Sequence, residues 1–303
     1  MSGEVPLRPT PSQLALLSSF ERQAFTLVDF VNRTPATKAA ADAFLRTFGA
    51  SWVYHCTRNL VHLVGLDELR ALRPPRGLLL ACNHRSFFDL YVVSCWLYRT
   101  TELLQRVYFP VRSDFFYEQP AGVLVNLAMS ALAMYPPIFR DAHKREFNSY
   151  GVRRVVQLLR EPGSVVGVHP EGRRNRTGDP YALLPAQPGV GKLILDAEPT
   201  VLPVFINGLG NDLARQVRGN FDGTGEPVII VLGRPVEPET FHAQRNSLRA
   251  QKAVADRVIE EIGRLGEVER ALRARLGARP ARGPVFHPLP EESEPPRRSV
   301  VGG

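Results

Sequence analysis

At 303 residues, 44% hydrophobic and 22% charged, the chain can bury a full core as one large α/β domain or two small ones, which excludes wholesale disorder. Its three cysteines, Cys56, Cys82 and Cys95, are too few and wrongly spaced for a disulfide scaffold or a zinc ribbon, so a reducing compartment fits best. A formal charge of +8 favours polyanionic partners, whether nucleic acid, anionic lipid headgroups or phosphorylated cofactors.

Lysine occurs only at positions 38, 144, 192 and 252, so arginine carries nearly all the basic charge. Genomic base composition is the plain explanation; the functional one is that arginine forks match phosphate oxygens bidentately. The first residues lack the basic start, apolar run and small-residue cleavage site of a signal peptide.

After a loose start over residues 1–10, apolar residues recur at helical spacing: Leu14, Leu17, Phe20, Ala24, Leu27, Val28 and Val31. Ser12 is a capping residue near the start and Pro35 a stop. A second stripe, Phe44, Phe48, Trp52, Cys56, Leu60 and Leu63, predicts a second helix. Such stripes ordinarily pack on a core. Leu16, Phe25 and Phe30 widen the first, which makes a membrane-facing role the second reading.

From Gly77 short apolar runs alternate with helical segments. Strands are predicted at 78–82, 107–111, 131–135, 164–168, 201–206 and 228–232, and helices at about 87–98, 120–130, 145–160 and 188–197. Continuous apolar strands separated by helices predict an α/β fold, a largely parallel sheet covered by helices on both faces. An N-terminal helical hairpin precedes it and a long amphipathic helix, about 242–275, follows. The stretch 119–139 carries no charge and is about as long as a spanning helix. Pro136 and Pro137 would break its last turns, so it reads as a buried helix running into a buried strand. The expected organisation is residues 1–70 as a helical, membrane-surface region, 71–278 as the α/β domain, and the proline- and arginine-rich 279–303 as a disordered tail.

Two motifs sit at predicted carboxyl ends of strands, where open α/β sheets gather ligands. The first is Asn83-His84-Arg85-Ser86-Phe87-Phe88-Asp89. In one continuous helix residues five apart point about 140° away from each other, so His84 and Asp89 meet only across a strand–turn–helix junction. A neutral imidazole can take a hydroxyl proton, and a carboxylate on its other nitrogen fixes the tautomer. The plain alternative is a capping Asp89 and a surface histidine. The second motif is His169-Pro170-Glu171-Gly172-Arg173-Arg174-Asn175-Arg176. A carboxylate beside three arginines suits an anionic ligand, with Gly172 allowing close backbone approach; a basic surface loop is the alternative. Arg140, after the apolar stretch, could clamp a phosphate or simply end a strand.

The order N-H-x4-D, an arginine after an apolar segment, P-E-G-x-R, then Val201-Leu202-Pro203-Val204 resembles the glycerolipid acyltransferases typified by 1-acyl-glycerol-3-phosphate acyltransferase, over about residues 77–210. The resemblance implies that His84 is the general base and Asp89 its orienting partner. It also implies that Arg140, Glu171 and Arg174 form the acceptor headgroup site, with Gly172 shaping its loop and Pro203 marking the segment that lines the pocket. N-terminal helices on the membrane surface and an α/β sheet are implied too. Three departures bear on the acceptor: Arg173 stands where a threonine is usual, His169 where a large apolar residue is usual, and Tyr135-Pro136-Pro137-Ile138-Phe139 where the second motif's glycine and phenylalanine are usual.

The expected reaction is one-step transfer from acyl-CoA or an acyl carrier protein to a lysophospholipid hydroxyl in phospholipid biosynthesis. It needs no cofactor or metal. Oxyanion donors are expected around Asn83, Ser86 or nearby backbone N–H groups. The expected location is cytoplasmic, peripherally attached to the membrane. Rival readings are a Cys82/His84 thioester hydrolase, a metal hydrolase using His84, Asp89, His169 and Glu171, and a basic lipid-binding module without catalysis. No recognisable nucleic-acid motif is present, so nucleic acid is not an expected partner.

Overall fold

A computed structural model describes residues 7–237, 247–276 and 283–290. The chain opens with α1 (Pro11–Ala15) and α2 (Ser19–Arg33), separated by a break at residues 16–18. The caps are Thr10 and Ser18, each in a reciprocal box with Gln13 and Glu21, so the single helix expected with a Ser12 cap is in fact two. Pro35 starts α3 (Pro35–Phe44), its fixed φ suiting a first helical turn. A π turn, Leu45–Gly49, joins α3 to α4 (Ala50–Thr57). The expected second helix ends there: Leu63 belongs instead to strand β1 (Val61–Val64).

The remaining elements are β2 (Leu78–Cys82), α5 (Asp89–Thr100), β3 (Arg106–Tyr108), β4 (Val111–Arg112), α6 (Ser113–Phe116), α7 (Pro120–Ser130), β5 (Pro137–Ile138) and α8 (Arg145–Arg160). They continue with β6 (Ser164–Val168), α9 (Pro188–Ala197), β7 (Thr200–Asn207), α10 (Leu213–Asp222), β8 (Val228–Leu232), α11 (Leu248–Arg275) and β9 (Val285–His287). Seven strands form one sheet in the order β3-β6-β2-β7-β8-β1-β9, and β4 pairs with β5 in a separate ribbon. Every pairing in the main sheet is parallel except β7 with β8. The sheet is covered on both faces, as the unbroken apolar strands require. Leu79, Val166, Val201 and Phe205 face a core with α2, α8, α9 and α11, while Leu78, Leu80, Val165 and Leu202 face a core with α3, α4 and α5.

Two expectations are corrected here. Residues 131–135 are not a strand: Ala131 and Leu132 take φ of 47° and 65°, left-handed values that end α7 and cannot continue an extended ladder. Within the stretch expected to be a disordered tail, Val285–His287 pair with β1 as an edge strand, and His62 Nδ1 meets His287 Nε2 at 3.1 Å. Residues 279–282 and 291–303 of that stretch, and 242–246 of the long helix, lie outside the described residues.

Helix α7 is also not the buried helix expected. It buries Gly122, Asn126 and Ser130 and exposes Leu124 (65%) and Leu127 (51%). Asn126 Oδ1 accepts the Met134 N–H and the Ser130 hydroxyl, and a Cβ on Gly122 would lie 1.7 Å from the Phe115 carbonyl oxygen. The polar and small residues therefore face inward to hold the loop, and the leucines are left outside. No described helix is long and apolar enough to cross a membrane.

Candidate active site

Strands β2 and β6 are hydrogen-bonded neighbours with Ala81 opposite Val168. The two motifs therefore leave the sheet side by side at its carboxyl edge. Asn83 locks the end of β2: its amide accepts the Ile206 N–H at 2.8 Å and donates to the Ile206 carbonyl at 2.9 Å. The chain then turns through residues 84–88 into α5, whose first residue is Asp89.

That turn produces the contact expected from the sequence. Asp89 Oδ2 accepts the Arg85 and Ser86 N–H groups, each at 2.7 Å, and lies 3.3 Å from His84 Nδ1. Asp89 is fully buried, and burial raises its carboxyl to about 6, opposed by the two N–H groups. Burial first, then the Arg174 charge, lowers His84 to about 4. At pH 7 the pair is therefore a carboxylate beside a neutral imidazole. With Nδ1 donating to Asp89, Nε2 carries the free lone pair.

Glu171 stands elsewhere than the resemblance implied. Its Oε1 accepts the His84 N–H and its Oε2 the Leu184 N–H, both at 2.8 Å, and it is 1% exposed. Both oxygens are spent on backbone, so it braces the His84 turn and does not reach the cavity. Gly172 does shape the loop. Its φ is +67°, a Cβ there would lie 2.8 Å from Gln187 Cγ, and its carbonyl accepts from Arg112.

His84 and His169 open on a cavity of about 880 Å³, whose lining also includes Arg112, Arg140, Arg173, Arg174 and Arg176. Its volume is that of a ligand site. Arg140 pairs with Asp114 at 3.2 Å, and Arg174 lies 3.5 Å over the Phe87 ring. Burial, then the charges of Arg140 and Arg173, lower Arg112. Such crowded guanidinium groups attract an anion. On its apolar side the cavity is lined by Leu90, Phe109, Phe115 and Met134. Pro203, expected to mark the pocket-lining segment, sits in β7 opposite Ala81 and is not among the residues lining this cavity.

The expected oxyanion donors are already committed. The N–H groups of His84, Arg85, Ser86, Phe87 and Phe88 go to Glu171, Asp89, Asp89, Asn211 and Ser86 Oγ respectively. The Ser86 hydroxyl donates to the Gly210 carbonyl, and the Asn83 amide is spent on β7. Arg112 and Asn211 went unread in the sequence: neither belongs to a motif, and both arrive from strand ends distant in the chain. The Cys82/His84 pairing fails on burial, since Cys82 is fully enclosed and its thiol is pushed well above its ordinary value. No three His, Cys, Asp or Glu side chains among the described residues converge as a metal site.

Residues 61–207 match the sequence profile of the family described as Acyltransferase. The chain carries an acyltransferase-family domain. That domain spans both motifs and the strands β2 and β6 that carry them. No curated protein matches the chain significantly. Eight solved chains do, among them the 1-acyl-sn-glycerophosphate (LPA) acyltransferase PlsC from Thermotoga maritima. It is 17% identical with a TM-score of 0.46, over 88% of this chain and 93% of that one.

Proposed function

We propose that this acyltransferase moves a fatty acyl group from a thioester donor, acyl-CoA or acyl carrier protein, to a hydroxyl of a phosphate-bearing lysolipid resembling lysophosphatidic acid, a step of phospholipid biosynthesis. The observation that carries the reading is the His84–Asp89 contact opening onto an arginine-lined cavity. His84 Nε2 takes the acceptor hydroxyl proton as the oxygen attacks the thioester carbonyl. The tetrahedral intermediate then expels the thiolate, which recovers the proton from the imidazolium. Asp89 holds the tautomer and offsets the imidazolium charge. Arg112, Arg140 and Arg174 hold the acceptor phosphate. Because the backbone donors of the turn are spent, the developing oxyanion is left to cationic side chains lining the cavity, of which Arg174 is electrostatically coupled to both His84 and Asp89.

The same reading puts the protein on the cytoplasmic surface of a membrane. Its support is the reversed face of α7 together with exposed Phe48, Trp52 and Phe115, the last of which lines the arginine cavity. The test is mass spectrometry of products formed by purified protein from a labelled acyl-CoA and a mixture of lysophospholipids and their phosphate-free counterparts. A labelled diacyl product from the phosphate-bearing acceptors supports the proposal. Free fatty acid alone, or label on phosphate-free acceptors only, overturns it.

A further inference from the structure

A second imidazole lies directly behind the first. The rings of His84 and His169 are stacked at 3.7 Å between centroids with 8° between planes. His169 Nδ1 lies 3.0 Å from the carbonyl oxygens of both Cys82 and Asn83. Carbonyl oxygens only accept, so this nitrogen carries the proton and the ring is pinned to the end of β2. The backbone is fixed as well, for the His169 carbonyl accepts the Gly172 N–H at 2.9 Å. Two backbone carbonyls thus tether the His169 ring at 3.0 Å, while the His84 ring meets Asp89 at the longer distance of 3.3 Å. A contact of that length holds an imidazole loosely about χ1 and χ2. The stacked neighbour removes that looseness on one side.

The charged groups around the stack are Asp89 beneath and Arg174 and Arg112 on the cavity side. Burial, and then the charge that His84 acquires, depress His169 to about 3. It therefore stays neutral while its neighbour gains and loses a proton.

We propose that His169 is a positioning residue for His84: a tethered aromatic platform whose face fixes the plane of the reacting imidazole so that Nδ1 stays on Asp89 and Nε2 is presented to the acceptor hydroxyl. The inference rests on the reading of His84 as the base. A ring needed only for orientation governs the chemical step and leaves substrate binding alone.

Three substitutions separate its parts. His169→Phe keeps the stacking face without the tether, His169→Asn keeps an N–H for the carbonyls without the ring, and His169→Ala removes both. Steady-state kinetics are measured for each, with thermal unfolding and the imidazole nitrogen NMR signals of His84 alongside. Expected are a loss of about tenfold or more in kcat for the alanine variant with both KM values within about twofold, recovery to within about threefold of wild type by phenylalanine, and no recovery by asparagine. The His84 nitrogen signals should broaden or shift to mixed tautomers in the alanine and asparagine variants only. Wild-type kcat in His169→Ala overturns the proposal. So does recovery by asparagine with none by phenylalanine, a comparison that stands even where the alanine variant does not fold. His84→Ala is run beside them: turnover surviving there removes the base reading itself, whereas an inactive His84→Ala with fully active His169 variants removes only the platform.

Discussion

Glu171 Oε1 accepts the backbone N–H of His84 at 2.8 Å, so the second motif holds up the first from behind. Its other oxygen takes the Leu184 N–H, which ties the turn to the segment leading into α9. Two loops brought together by adjacent parallel strands are thus joined by one buried carboxylate.

Replacing Glu171 by glutamine sets an amide N–H against one of two backbone N–H donors. A buried donor left unsatisfied costs about 1–3 kcal/mol, so Glu171→Gln should lower unfolding free energy by about 2 kcal/mol and reduce kcat. Acceptor KM should hold. Chemical denaturation and steady-state kinetics check this; a raised acceptor KM in a protein of unchanged stability would instead make Glu171 a headgroup ligand.

The pH profile follows from the signs of the shifts. Burial and Arg174 lower His84 to about 4, and burial raises Asp89 to about 6. The active form, neutral imidazole beside carboxylate, is present above both values and lost as pH falls through them. The profile of kcat/KM should therefore level off above about pH 7 and fall to half near about 6, an acid limb beneath that of an ordinary imidazole. A limb centred near 7 would contradict the buried environment.

How much of this could be read from residues alone differs by element. Helices 120–130, 145–160 and 188–197 and strands 78–82, 164–168 and 228–232 have the expected bounds, because caps, prolines and continuous apolar runs mark their ends. Strand β1 was hidden: Leu60 and Leu63 continue the helical spacing of the residues before them, and only the pairing of Val61–Val64 with β8 and β9 makes that segment a strand. The exposed leucines of α7 were equally invisible, since apolar content says nothing about which face turns inward. In the site, the His84–Asp89 contact was legible because one strand–turn–helix junction allows it. The role of Glu171 was not, because a carboxylate among arginines looks like a ligand until the N–H groups of residues 87 and 13 positions away claim both oxygens.

The arginine cavity predicts a charge-dependent acceptor site. Arg112→Gln should raise KM for a phosphate-bearing lysolipid by about tenfold, the loss of one charge-assisted contact, with a smaller change for its phosphate-free counterpart. Equal effects on both acceptors would remove phosphate from the account.

A stability test lies away from the site. Lys38 is buried in α3, with Nζ donating to the Val107 carbonyl at 2.6 Å and pairing with Asp42 at 3.1 Å. Lys38→Met strands the Asp42 charge and should cost about 3 kcal/mol by chemical denaturation. Lys38→Met with Asp42→Asn should recover part of that loss; a neutral single variant would contradict the pairing.

For the membrane surface, Leu124→Ser with Leu127→Ser should leave the melting temperature unchanged, since both side chains are exposed. Binding to anionic phospholipid vesicles in a flotation assay should fall by about tenfold, on the order of the apolar area withdrawn. Undiminished flotation would place the contact on another surface.

The most direct measurement is single-turnover acyl transfer from labelled acyl-CoA to lysophosphatidic acid by wild-type protein and by His84→Ala, with circular dichroism and melting temperature recorded for both. The account predicts diacyl product from the wild type, a loss of at least about a thousandfold in the variant, and matching folds. Transfer by a folded His84→Ala at a tenth of the wild-type rate or more would contradict it.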